Sequence, residues 1–214
     1  MFPTTLLIEF VCLLFAIRYL KKDQSFWRSF IWFMFFITLI DGTGWAMATL
    51  YKQNNHWLYN IQLPVEVIYT GWIIHKIFAS LINSKPWFFT GLAVFLLAYI
   101  IEGIYKSYSA YAAFSSSLAS VLFFVSSGCY FYLLLKQEEH IDLLKHPPFW
   151  VMAGIFFFYF SSTAVNVFFE ELMKINIVKG IPLRFYIFTL LNAILYGCWI
   201  NAFRCRYQQT RSSF

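Results

Sequence analysis

Three carboxylates, Glu9, Asp41 and Glu66, lie inside long apolar stretches in the first third of the chain, with no Lys or Arg at similar depth. An ionisable group in hydrocarbon costs several kcal/mol unless it is paired, hydrated or neutralised, so each is a candidate functional group. Desolvation and mutual repulsion both favour the neutral acid. Three chemistries follow: a neutral donor to a ligand, a proton-coupled transport switch, or a counter-ion for a cationic ligand. A metal site fits less well, because the one histidine within an apolar stretch, His75, stands near the far end of its segment beside Lys76.

Helical spacing adds polar neighbours to these acids. Gln62, Glu66 and Tyr69 fall at i, i+4 and i+7, one face of a helix, with Pro64 able to loosen the backbone hydrogen bonding beside them. Tyr159, Thr163, Asn166 and Glu170 form a similar line, as do Thr189, Asn192, Tyr196 and Trp199. The candidate ligand-binding set is therefore Glu9, Asp41, Gln62, Glu66, Tyr69, Asn166, Glu170, Asn192 and Tyr196. The same stripes suit interhelical hydrogen bonds that hold a bundle together, and both readings stay open.

The elements that must carry these residues follow from composition. Hydrophobic residues make up 60% of the 214 and charged residues only 12%, which excludes an ordinary soluble domain. Apolar runs predict seven transmembrane helices: Pro3 to Leu20, Phe30 to Tyr51, Trp57 to Leu81, Trp87 to Tyr105, Ala110 to Leu135, Phe149 to Leu172, and Pro182 to Phe203. At about 20 residues per span they nearly consume the chain and leave no room for a soluble catalytic domain. The fold class is an all-α integral membrane protein, a seven-helix bundle forming a single domain over residues 1–214. Unbroken Phe, Leu and Ile runs, rather than alternation, argue against a barrel.

With the N-terminus outside and the C-terminus inside, eleven of the sixteen basic residues fall on the cytoplasmic side; Lys52, Lys106, Lys174, Lys179 and Arg184 do not. The net charge of +6 then reflects topology and anionic head groups, and no nucleic-acid partner is expected. The first span lacks a preceding basic stretch and reads as a retained helix, not a cleaved signal. The four cysteines lie in spans or on the inner tail, show no metal or redox spacing, and read as small packing residues. No cofactor is expected.

An internal repeat is suggested by VIYTGWI (Val67 to Ile73) against ILYGCWI (Ile194 to Ile200). Phe26-Trp27 and Phe149-Trp150 agree too, each followed by a Phe-rich run. Units 1–83 and 108–207, joined by a linker helix at 86–105, would give a parallel 3+1+3 arrangement of the kind some transporters use. In that alignment Asp41 faces Ala164 and Glu66 faces Ala193, so the acids mark one specialised half. Depth places most of the polar set in the outer half and predicts a cavity opening outward.

Enzyme motifs are absent: there is no HExxH, GxSxG, phosphate-cradling glycine loop or paired CxxC. DGTG (Asp41 to Gly44) stands alone in a helix, where glycine permits close helix contact. The stretches HPPFWVMAGIFFFYFSS and LLNAILYGCWINAFRC resemble the membrane modules of uncharacterised bacterial seven-helix proteins, some of them similar to the sensory halves of histidine kinases. That resemblance implies signalling in a bacterial inner membrane, with no kinase domain in this chain and hence a separate cytoplasmic partner. The seven-helix plan also resembles the opsin-like group, but the seventh helix offers Asn192 and no Lys for a retinal Schiff base. The expected function is a receptor-like or sensory protein binding a small ligand among membrane lipids. The alternatives are a small-solute or proton-coupled transporter and a lipid-modifying enzyme using Asp41 and Glu66.

Overall fold

The computed structural model describes residues 4–23, 25–106, 111–137, 142–168, 172, 175–178 and 181–212. Among them seven long helices follow one another: α1 (Thr4–Leu20), α2 (Ser29–Thr49), α3 (His56–Phe78), α4 (Lys85–Lys106), α5 (Ala113–Leu135), α6 (Pro147–Val167) and α7 (Leu183–Ser212). Single 3-10 turns, Phe26–Arg28 and Leu143–Lys145, precede α2 and α6. Between α6 and α7, where the sequence predicts only a loop, β1 (Asn176–Val178) pairs antiparallel with β2 (Ile181–Pro182).

Five of these helices, α2, α4, α5, α6 and α7, are long and apolar enough to cross a membrane. They mark an integral membrane protein. The other two fall short for visible reasons. The described part of α1 has 17 residues, fewer than the roughly 20 that span hydrocarbon. The apolar run of α3 is diluted by Asn60, Gln62, Glu66, His75 and Lys76. In contrast, α7 overshoots its predicted end at Phe203, because Arg204 to Ser212 contains no Gly or Pro to stop it. Its 30 residues rise about 45 Å, well beyond a hydrocarbon core of about 30 Å.

The chain divides into two compact units, Met1–Met34 with Glu138–Phe214, and Phe35–Gln137, with boundaries different from those of the suggested repeat. Helix α2 contributes its first residues to one unit and the remainder to the other.

The first unit packs α7 against α1 and α6. Cys12, Ala16 and Leu20 on α1 and Val151, Met152 and Ile155 on α6 are fully buried, as are Ala202 and Phe203 on α7. Helices come this close in lipid only where small residues let backbones approach. Gly154 meets that need: a Cβ there would lie 3.1 Å from both the Leu195 carbonyl oxygen and the Cys198 Cβ. The Phe30 ring meets Trp199 and Phe203 edge-on at 5.2 and 5.3 Å, the geometry that aromatic quadrupoles favour.

Beyond the apolar core, Arg206 Nε donates to Asp23 Oδ2 at 2.8 Å and ties α7 to the loop after α1. The other carboxylate oxygen accepts from the Ser25 N–H and hydroxyl. Burial alone would push the Asp23 carboxyl up, but the hydrogen bonds from Arg206 and Ser25 outweigh it and hold the carboxyl below its ordinary value. A carboxyl depressed in the fold contributes stability that is present above its unfolded value of about 3.9 and lost as pH falls through the folded value. We therefore expect the melting temperature in detergent to fall as pH drops below about 4. Arg206→Gln should cost about 1–3 kcal/mol at neutral pH and flatten that acid limb. A variant that melts like wild type at every pH would show that the pair contributes nothing.

Candidate functional site

Within the 35–137 unit, α3, α4 and α5 are held together at one end by a chain of hydrogen bonds that starts at a proline. Pro64 has no N–H, so the carbonyl of Asn60, one turn earlier, loses its ordinary helical partner. Tyr99 of α4 supplies the missing donor, its hydroxyl 2.7 Å from the Asn60 carbonyl oxygen. The Asn60 side chain, itself buried, accepts from the Ala112 N–H at 3.0 Å, just ahead of α5.

The first turn of α5 has N–H donors without helical acceptors and no capping side chain of its own, since its N-cap is Ala112. Glu102, buried near the end of α4, serves instead. Its two oxygens accept from the Phe114 N–H at 3.0 Å, the Ser115 N–H at 2.8 Å and the Ser115 hydroxyl at 2.7 Å. A carboxylate there also meets the positive end of the helix dipole.

The opposite ends of α3 and α4 are joined by a second polar contact. His75 Nδ1 and Ser84 Oγ lie 2.7 Å apart, and Ser84 Oγ is 3.1 Å from the His75 carbonyl oxygen. Both contacts are hydrogen bonds when Nδ1 carries the proton and the Ser84 hydroxyl donates to the carbonyl. The ring stacks on Phe88 of α4 at 5.6 Å, and Nε2 is left for another partner.

Between these two clasps lies a partly enclosed cavity of about 400 Å³, within the size range of small-molecule pockets. Val67, Gly71, Ile74, His75 and Phe78 line it from α3, at the 3- and 4-residue spacings of a single helix face. Phe88, Leu92 and Val94 of α4 and Val121, Val125 and Cys129 of α5 complete the wall. The Ser126 hydroxyl is turned back onto the Leu122 carbonyl of its own helix at 2.7 Å; the lining also includes Thr90 and Tyr132, and its hydrogen-bonded polar pair is His75 with Ser84. Val94, Val121 and Val125 are also exposed, so the cavity reaches the surface of the unit.

None of the eight described residues of the sequence-predicted set lines this cavity. Asp41, Gln62, Glu66 and Tyr69 belong to the same unit, whereas Glu9, Asn166, Asn192 and Tyr196 belong to the other; Glu170 lies outside the described residues. Glu9 is 2% exposed on α1, a turn from buried Cys12, and Asp41 and Glu66 are half-buried. Gln62 is buried, and its Oε1 has no partner among the described residues. The Tyr69 ring packs on Trp72 at 5.9 Å.

In the other unit the polar stripes are largely turned inward on their own helices. Asn192 Nδ2 donates to the Phe188 carbonyl at 2.9 Å, and Thr163 and Thr189 donate to the carbonyls four residues back. Tyr196 packs edge-on against Trp199 at 5.8 Å. The reading of DGTG as a close-contact site agrees with the geometry: a Cβ at Gly44 would fall 2.6 Å from the Tyr59 hydroxyl, and the Gly44 carbonyl accepts from Asn55 at 2.9 Å. No family model, curated protein or solved structure matches the chain.

Two outcomes follow for the clasp. Tyr99→Phe should cost about 1 kcal/mol in the wild-type chain and close to nothing in a Pro64→Ala background, where the restored N–H serves the Asn60 carbonyl. Equal costs in both backgrounds, measured by denaturant unfolding in detergent, would show that Tyr99 does not answer the proline. Glu102→Ala should destabilise by about 2–3 kcal/mol and Glu102→Gln by less, since the amide keeps one acceptor; indifference to both would remove the capping role.

Proposed function

We propose that this chain is a seven-helix receptor-like membrane protein, N-terminus outside and C-terminus inside, which captures a hydrophobic small molecule in the cavity between α3, α4 and α5. One observation carries the reading: an apolar cavity of ligand size, opening at the surface of the unit and bearing a fixed polar pair at one end. Apolar walls bind a molecule that partitions into the bilayer, and a single polar end orients it. Hydrogen bonds tie α3, α4 and α5 at one end through Tyr99 and Glu102, and α3 to α4 at the other through His75 and Ser84, without filling the space between them.

A sensor also needs an element that reports occupancy. In this reading the report passes along α2, which belongs to both units, to the basic inner surface. There α7 runs on to Ser212, its Arg206 fixed to Asp23, and a cytoplasmic signalling partner in a bacterial inner membrane would read it. The acids Glu9, Asp41 and Glu66 remain in the proposal as polar groups that bias helix packing.

Native mass spectrometry of the protein released from lipid nanodiscs tests the binding claim. We expect a 1:1 adduct of lipid-like mass, reduced about tenfold by Val125→Trp, which walls off the exposed side of the cavity. The same preparation in liposomes should bind without moving a solute. An adduct indifferent to Val125→Trp would contradict the cavity assignment, and solute flux abolished by Glu66→Gln would favour a transporter instead.

A further inference from the structure

Resting on that reading, we infer that the occupant of the cavity is a long-chain amphiphile with an acidic head group, held with its chain between α3, α4 and α5 and its head beside His75 and Ser84. The polarity of the site is graded along its length. Toward the middle of α3 and α5 the walls are Val67, Gly71, Val121 and Val125, which offer only apolar contact. At the α3–α4 turn the lining gains His75 and Ser84, and Ser84 is 4% exposed.

The same end carries the positive charge. Lys76 follows His75 and Lys85 follows Ser84, both are exposed, and both charges act on the His75 ring. Trp72 lies under Lys76, its ring 5.8 Å from Nζ, and Trp87 stands exposed two residues after Lys85. Lys beside Trp is the composition of a membrane–water boundary, where the charged end of an amphiphile sits. The α4 N-terminus adds its partial positive charge at that point.

The chemistry of recognition then follows from the groups present. A carboxylate or phosphate is drawn by two ammonium groups and the helix end. The ring nitrogen that Ser84 leaves open, Nε2, accepts from a protonated acid or, once the ring is itself protonated, donates to an anionic one. A neutral alcohol head can donate to Nε2 but gains nothing from the ammonium groups, and a zwitterionic head brings its own cation beside its phosphate, so net charge, and not chain length alone, separates the ligand from bulk lipid. The acid could belong to a free fatty acid or to an anionic phospholipid, and the experiment below separates the two.

The test uses the full chain in phosphatidylcholine nanodiscs, photolabelled with diazirine-hexadecanoate or with diazirine-hexadecanol, followed by peptide mapping. We expect the acid to label peptides from residues 67–133 and Lys76→Gln/Lys85→Gln to cut that labelling roughly tenfold or more, with alcohol labelling unchanged. Val125→Trp should remove both. Competition by phosphatidylglycerol assigns the head group to an anionic phospholipid, whereas competition by fatty acid alone assigns it to the free acid; either outcome supports the acidic head. Equal labelling by acid and alcohol, insensitive to the lysines, overturns the acidic head but leaves the cavity reading standing. If neither probe labels residues 67–133, the cavity reading itself falls.

Discussion

A carbonyl without a donor is tolerable in water and costly where water cannot reach it, and Pro64 creates one at buried Asn60 near the start of α3. The arrangement of α3, α4 and α5 depends on how that cost is met. The Tyr99 hydroxyl reaches across from α4 to the Asn60 carbonyl, and the Asn60 side chain in turn holds the start of α5. Glu102 then completes the turn by accepting the first N–H groups of α5. Lipid gives helices little hydrophobic reason to associate, so specific hydrogen bonds at their ends have more to decide than they would in a soluble core. Here they clamp α3, α4 and α5 at one end and α3 to α4 at the other, and the cavity lies between.

The other unit solves the same problem by a different route. Small or flat contacts dominate it, with Gly154 letting α6 lie against Leu195 and Cys198 of α7, and Phe30 filling the gap beside Trp199 and Phe203. Its threonines and Asn192 bond back to their own helices, which removes polar cost without tying one helix to another. Its ion pair between Asp23 and Arg206 lies beyond the apolar core, where the overlong α7 meets the loop after α1. Ser117, Ser120, Ser126 and Ser127 of α5 bond back to their own helix in the same way, but in that unit further hydrogen bonds tie helix ends together and leave the middle open.

How much of this was legible in the sequence depends on whether the cause is local. The helices were, because unbroken apolar runs leave the backbone no alternative in lipid. The end of α7 was not, since hydropathy marks where a span stops and says nothing about a helix that continues in polar residues to Ser212. Pro64 was visible as a weak point, but its answer, Tyr99, is a tertiary contact from a residue 39 positions further along the chain than Asn60. Glu102 reads as a stray acid near a helix end until α5 is seen to lack a cap. The cavity was least legible of all, because residue types announce groups that are present, whereas Val67, Gly71 and Val125 matter for the volume they leave. His75, the histidine set aside as too far from the acids, was the one signal that pointed to it.

In the proposed function a hydrophobic molecule occupies the space between α3, α4 and α5. An electron cryomicroscopy map of the full chain in lipid nanodiscs, with an antibody fragment bound for alignment, tests it most directly. Elongated, non-protein density is expected beside Val67, Gly71 and Val125, ending at His75 and Ser84. A map in which α4 has closed against α3 and α5, with side chains filling that space, would contradict it.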